Sequence, residues 1–184
     1  MLPILMLTMA LASEEAAPLW LSFDVLNPDA SGHHRILHLE DVLAKKKPVR
    51  DVPDARAVLV FATTLDDCTA TQGLCAKVGA IARAAQSEGG LVVGILLESA
   101  ENASRARKEI PSAHHPFPIA EDGYGITRHA LKLDRPGEMI VINSQGRFVR
   151  FSPPSESGRD LDKKLDEVKR SFLAVLARDK EDEQ

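Results

Sequence analysis

Two apolar runs constrain this chain most. Ala57-Val58-Leu59-Val60-Phe61-Ala62 and Leu91-Val92-Val93-Gly94-Ile95-Leu96-Leu97 carry no charged side chain. Runs this uniform suit strands buried on both faces. Between them Leu74, Val78, Ile81 and Ala85 recur at spacings of four, three and four. That period predicts an amphipathic helix from Thr69 to Glu88, ended by Gly89-Gly90. A strand, a helix and a strand connected at this length imply a parallel, right-handed crossover.

The remaining segments extend this unit on both sides. Pro18 to Leu26 is apolar and strand-prone, and Asn27-Pro28-Asp29-Ala30-Ser31-Gly32 is a dense turn cluster. Ile36, Leu37 and Leu39 suggest a second short strand and Glu40 to Leu43 a short helix or turn, together a small hairpin-like addition. Lys45-Lys46-Lys47-Pro48 reads as a solvated connector. After the second buried strand, Ser99 to Glu109 is helix-prone and capped by Pro111, and Tyr124 to Leu133 is a further helical segment. Met139 to Ile142 and Arg147 to Phe151 flank Asn143-Ser144-Gln145-Gly146, a β-hairpin pattern. Leu161, Leu165, Val168, Phe172, Val175 and Leu176 space out as a last amphipathic helix, followed by a charged, frayed tail.

At 184 residues, 44% apolar and 27% charged, the chain suits one globular domain with a real core. A net charge of -4 gives no electrostatic reason to expect nucleic acid as a partner. Leu2 to Ala12 is apolar apart from Thr8, and Ala10-Leu11-Ala12 fits a small-x-small cleavage pattern. This predicts a secretion signal over residues 1–12 and export to the periplasm or outside the cell, with an uncleaved anchor as the alternative. No later segment is expected to cross a membrane.

Cys68 follows the first buried strand by a short polar turn, with the long helical pattern just beyond. A helix N-terminus stabilises anionic sulfur and favours a reactive thiolate. Asp66 and Asp67 oppose it. Cys68-Thr69-Ala70-Thr71 lacks a second cysteine, and the only other thiol is Cys75, seven residues on. In an intact helix that spacing separates the Cα atoms by roughly 10 Å, whereas a disulfide needs about 4.4–6.8 Å. A bond therefore requires an irregular first turn, with Gly73 as the weak point. Cys75 reads either as a resolving cysteine or as a small buried hydrophobe. The hydroxyls of Thr63, Thr64, Thr69 and Thr71 offer hydrogen bonds to a thiolate, although Thr69 and Asp67 read equally as helix caps.

The order βαβ, helix, β-hairpin, helix resembles the thioredoxin fold. Four stretches carry a closer likeness to its redoxin branch, related to peroxiredoxins and membrane-anchored thiol-disulfide proteins. They are Phe23 to Val42, Ala57 to Cys68, Phe117-Pro118-Ile119-Ala120-Glu121-Asp122, and Arg135 to Arg147, the last similar to the family's T-P-x-x-F-V-L-D-x-x-G-R hairpin. The resemblance implies an α/β thioredoxin-like fold with a central mixed sheet, helices on both faces and a small N-terminal β-hairpin addition. The likeness covers roughly residues 20 to 178, and with the signal and tail read from the residues the chain divides into signal (1–12), extension and hairpin (13–56), thioredoxin-like domain (57–178) and charged tail (179–184).

The resemblance also implies a cis-proline at Pro136 beside the reactive cysteine, but counting back along the strand puts Gly137 in that place. A peroxiredoxin carries Pro seven residues and Thr three residues before its reactive cysteine, where this chain has Phe61 and Leu65. Peroxide reduction by that constellation is not expected. The reading that follows is thiol-disulfide exchange in redox homeostasis, with Cys68 and Cys75 as catalytic residues and Thr64, Asp67, Thr71, Pro136 and Gly137 around them. Protein thiols or disulfides, including a redox partner protein, are the expected partners. The rival readings are a degenerate protein-binding module and, further behind, a metal-binding chaperone, since a copper-chaperone branch of the fold uses two cysteines and a distant histidine. No cofactor or metal ligand set is assigned; Cys68, Cys75 and His115 are the set that would test a metal.

Overall fold

The computed structural model describes residues 15–31, 34–43, 55–98, 100–152 and 158–181. The expected signal over 1–12 and the lysine connector lie outside the described residues. The strands are β1 (Glu15–Ala16), β2 (Ser22–Val25), β3 (Ile36–His38), β4 (Ala57–Thr63), β5 (Gly90–Leu96), β6 (Ile119–Glu121), β7 (Met139–Asn143) and β8 (Arg147–Phe151). The helices are α1 (Leu39–Leu43), α2 (Leu65–Thr69), α3 (Leu74–Gln86), α4 (Ala100–Ser112), α5 (Ile126–Leu131) and α6 (Gly158–Glu181).

All strands join one mixed sheet in the order β1-β8-β7-β4-β5-β6-β2-β3. β4 lies at its centre, parallel to β5 from Ala57↔Gly90 to Thr63↔Leu96 and antiparallel to β7. Every residue of β4 is buried. Its side chains alternate between two cores because successive residues of a strand face opposite ways. Leu59 and Phe61 meet Val78 and Ile81 of α3 and Val168 and Phe172 of α6. Val58 and Val60 face Leu39 and Val42 of α1 and Leu131 of α5. Full burial of each such side chain stabilises the fold by about 1.5–3 kcal/mol. The fold is therefore α/β and thioredoxin-like, with helices on both faces of a mixed sheet. The N-terminal hairpin is part of that sheet, because β2 pairs antiparallel with β6 as well as with β3.

Three expectations need correction. The helix placed at Thr69 to Glu88 is two helices, α2 and α3, separated by residues 70–73. The apolar stripe that holds a helix on the sheet starts only at Leu74. Gly73 lies so close to the main-chain carbonyl of Asp67 that a Cβ there would collide with it. Pro111 does not stop α4 but sits inside its last turn, since α4 runs to Ser112. The charged tail is also shorter than expected, because α6 continues through Glu181.

Candidate active site

β4 delivers the chain to the site at its C-terminal end, where ligands gather in open α/β sheets. Thr64 follows the strand in extended conformation and caps α2, its Oγ1 accepting from the Asp67 amide at 3.2 Å. The same hydroxyl donates to the Asp67 carboxylate at 2.9 Å. The Leu65 amide donates to Glu98 Oε1 at 2.6 Å, which ties α2 to the end of β5. Thr69 turns its hydroxyl back to the Leu65 carbonyl at 3.0 Å. Asp66, expected to burden the sulfur with negative charge, pairs with Arg105 of α4 at 3.5 Å, both groups being solvent-exposed.

Cys68 and Cys75 form a disulfide, with Cα atoms 4.8 Å apart. The break at 70–73 makes this possible by folding the start of α3 back on the end of α2. Both cysteines are buried, Cys68 at 3% and Cys75 at 0% exposure. The break also moves the helix terminus. Cys68 is the fourth residue of the five-residue α2, whereas Cys75 is the second residue of the thirteen-residue α3. The amides and dipole that stabilise anionic sulfur therefore act on Cys75 rather than, as expected, on Cys68.

Of the four threonine hydroxyls, Thr63 is the one that reaches the sulfurs, at 3.5 Å from Cys68 Sγ and 3.6 Å from Cys75 Sγ. Thr71 is exposed in the connecting turn. His115, from the loop before β6, donates from Nε2 to the Cys68 carbonyl at 2.9 Å and stacks on Phe117. Because a carbonyl accepts only, that bond puts the ring proton on Nε2. Burial pushes the His115 pKa below its ordinary value, against the opposing pull of the Cys68 carbonyl. Cys68 Sγ, Cys75 Sγ and a ring nitrogen of His115 all lie within 4.8 Å of one another.

Across the sheet, the Arg135–Pro136 peptide is trans, because no described peptide bond is cis. The cis-proline that the resemblance implied is thus not formed. Gly137 takes up a φ of +85°. Its amide donates to the Ala62 carbonyl, and the Ala62 amide donates to the Glu138 carbonyl, both at 2.9 Å. This continues the β4–β7 pairing to the edge of the site. Pro136 is left exposed, one residue outside that ladder. Glu138 braces the turn. Burial alone would raise its pKa, but the amide and guanidinium of Arg135 and the amide of Asp134 outweigh this and hold it below the usual carboxylate range.

Sequence reasoning missed Glu98 and Arg105. Glu98 had a usable signal, since it directly follows a buried parallel strand at the sheet's ligand-facing end. Arg105 had none, because it is one of several charges on a polar helix.

No family profile and no curated protein sequence matches the chain. Solved structures do. DsbF of MTB, in mixed oxidised and reduced forms, superposes with a TM-score of 0.56 at 15% identity, over 85% of this chain and 96% of that one. A putative thiol:disulfide interchange protein DsbE from Chlorobium tepidum gives 0.56 at 16%, over 89% and 99%. Thioredoxin peroxidase I of Plasmodium yoelii gives 0.63 at 13%, over 91% and 92%. Identities this low establish fold alone. The chain has the thioredoxin-like fold of these redoxins, with a Cys68–Cys75 disulfide of non-standard spacing at the end of its central strand.

Proposed function

We propose that this protein acts in thiol-disulfide exchange, with Cys68 as the sulfur that meets the substrate and Cys75 as its partner. The single observation that carries the reading is the Cys68–Cys75 disulfide at the C-terminal end of β4. An incoming thiolate attacks Cys68 Sγ, forming a mixed disulfide, and the Cys68–Cys75 bond breaks to leave the electron pair on Cys75. Cys75 suits the leaving role because it sits at the α3 N-terminus and within reach of the Thr63 hydroxyl. A second substrate thiolate then attacks the mixed disulfide. The substrate departs oxidised, and Cys68 and Cys75 are left as a dithiol. The same steps in reverse reduce a substrate disulfide.

Protein thiols or disulfides outside the cytosol fit this chemistry. Structural neighbours that include thiol:disulfide interchange proteins support it, as does the apolar N-terminal run. No helix among the described residues is long and apolar enough to cross a membrane.

Trapping tests the reading. Cys75→Ser incubated with a peptide disulfide should accumulate a mixed disulfide at Cys68, seen by intact mass, while Cys68→Ser accumulates little. If the native disulfide resists a dithiol until the protein unfolds, and neither variant is trapped, the bond is structural. The fold would then serve as a binding module.

A further inference from the structure

We propose that the cleft between β2 and α4 holds a cationic, partly apolar segment of the polypeptide whose thiols this protein exchanges. The segment is a substrate only if the proposed exchange holds; the cleft binds it either way.

Ala106 and Ile110 of α4 pack with Leu96 and Ile119 of the sheet. Next to them the outward side chains of β2, Ser22 and Asp24, stay exposed. The result is a cleft of about 830 Å³, within the usual size of a ligand site. It opens at the same end of the sheet as the disulfide. Glu98 lines it and accepts from the Leu65 amide at the start of α2. Cys68 lies on that helix, about 5 Å further along its axis.

The chain has one tryptophan and one tyrosine. Both line this cleft, Trp20 at 63% and Tyr124 at 93% exposure, with Ile126 at 53% beside them. Large rings left in solvent around one concavity mark a contact surface for a partner. The charge there is one-sided. Asp24, Glu98, Glu121 and Asp122 line the cleft with a single cation, Arg107. Arg107 is taken up by Glu121, which it holds through two bonds at 2.7 and 3.0 Å. Asp24 sits opposite Glu121 on the neighbouring strand, a like-charge pairing that costs stability. Arg35 approaches Asp24 only to 4.0 Å. An incoming ammonium or guanidinium relieves this repulsion, and the faces of the two rings attract the same cation. An acidic segment would be repelled.

Trp20, as the sole tryptophan, reports occupancy by its fluorescence. Full-length protein would be titrated with two peptides free of cysteine and aromatics, one alternating lysine with leucine, the other glutamate with leucine. The lysine peptide should shift the emission saturably, and less tightly in about 0.5 M salt than in about 0.05 M. The glutamate peptide should not. Asp24→Lys and Gly123→Arg, each checked for native circular dichroism, should weaken the lysine peptide about tenfold or more. A Cβ at Gly123 meets no atom within 4 Å, so the second variant puts its charge at the cleft without a collision. With two cysteines added, each peptide is a dithiol that the Cys68–Cys75 bond can oxidise to a peptide disulfide, the protein taking the two electrons and two protons as two thiols. The lysine dithiol should react about tenfold faster than the glutamate one, and both variants should erase the difference. The proposal is overturned if the lysine peptide leaves the emission unchanged, if the glutamate peptide binds as well, if both variants bind like wild type, or if the two dithiols react equally fast. A dimer in sedimentation that Trp20→Ala abolishes would assign the cleft to a second copy of the chain and overturn it too. If Cys75→Ser traps no peptide, the exchange reading fails and the segment is no substrate, while the titration still decides whether the cleft holds it.

Discussion

Thr63 is the last residue of a strand in which every side chain is buried, and it is the one polar side chain there. A buried hydroxyl needs a partner, and the sulfurs at 3.5 and 3.6 Å supply it. Thr63→Val keeps the shape and removes the hydrogen bond to whichever sulfur becomes anionic. A hydrogen bond to a charged group contributes about 1.5–3 kcal/mol, so stopped-flow reduction by dithiothreitol should slow about tenfold or more, with Thr63→Ser near wild type. His115 has a different signature. Its folded pKa is lowered, so the unfolded chain binds the proton more readily. The stability it contributes is present above the unfolded histidine value of about 6.5 and is lost as pH falls through the lower folded value. In urea titrations between pH 8 and pH 5, His115→Gln should lose less stability on acidification than wild type. An equal loss in both would remove His115 from the pH response.

Among the elements, the strands were legible because their runs are long and unbroken. The break between α2 and α3 was legible only as a condition for a disulfide. The stripe of Leu74, Val78, Ile81 and Ala85 fixes where α3 packs but says nothing of residues 69–73, whose small or polar residues fit a helix or a turn. What decides is a main-chain contact, Gly73 against the Asp67 carbonyl, and no side-chain pattern encodes that. The helix N-terminus was misplaced for the same reason, since the one that holds a cysteine in its first turn belongs to α3. Gly73→Ala should push the two helices apart at a cost of about 1–3 kcal/mol. Alkylation after air oxidation should then find free thiols at Cys68 and Cys75, where wild type has few. Full disulfide formation in this variant would show that the close approach is dispensable.

At the level of the whole molecule, the sequence division at residue 57 does not correspond to a seam. β2 adds to the edge at β6, and Phe23, Val25, Leu37 and Leu39 enter the core that Val58 and Val60 share. Four such side chains contribute about 1.5–3 kcal/mol each, against a typical total stability of about 5–15 kcal/mol. A chain beginning at Ala57 should therefore lose its cooperative unfolding transition. A sharp, wild-type-like melt from that truncation would make the hairpin an appendage after all.

One hydroxyl stands almost equidistant from two sulfurs, and it is carried by a strand end held on both sides, by β5 and by the β7 ladder. When the bond between the sulfurs opens, either atom can take the negative charge, and the same proton is already in reach of both. A turn of the Thr63 hydroxyl then re-aims its hydrogen bond at whichever sulfur holds the charge, with no new donor recruited and no backbone displaced. The site is thus indifferent, at this one contact, to the direction in which electrons flow.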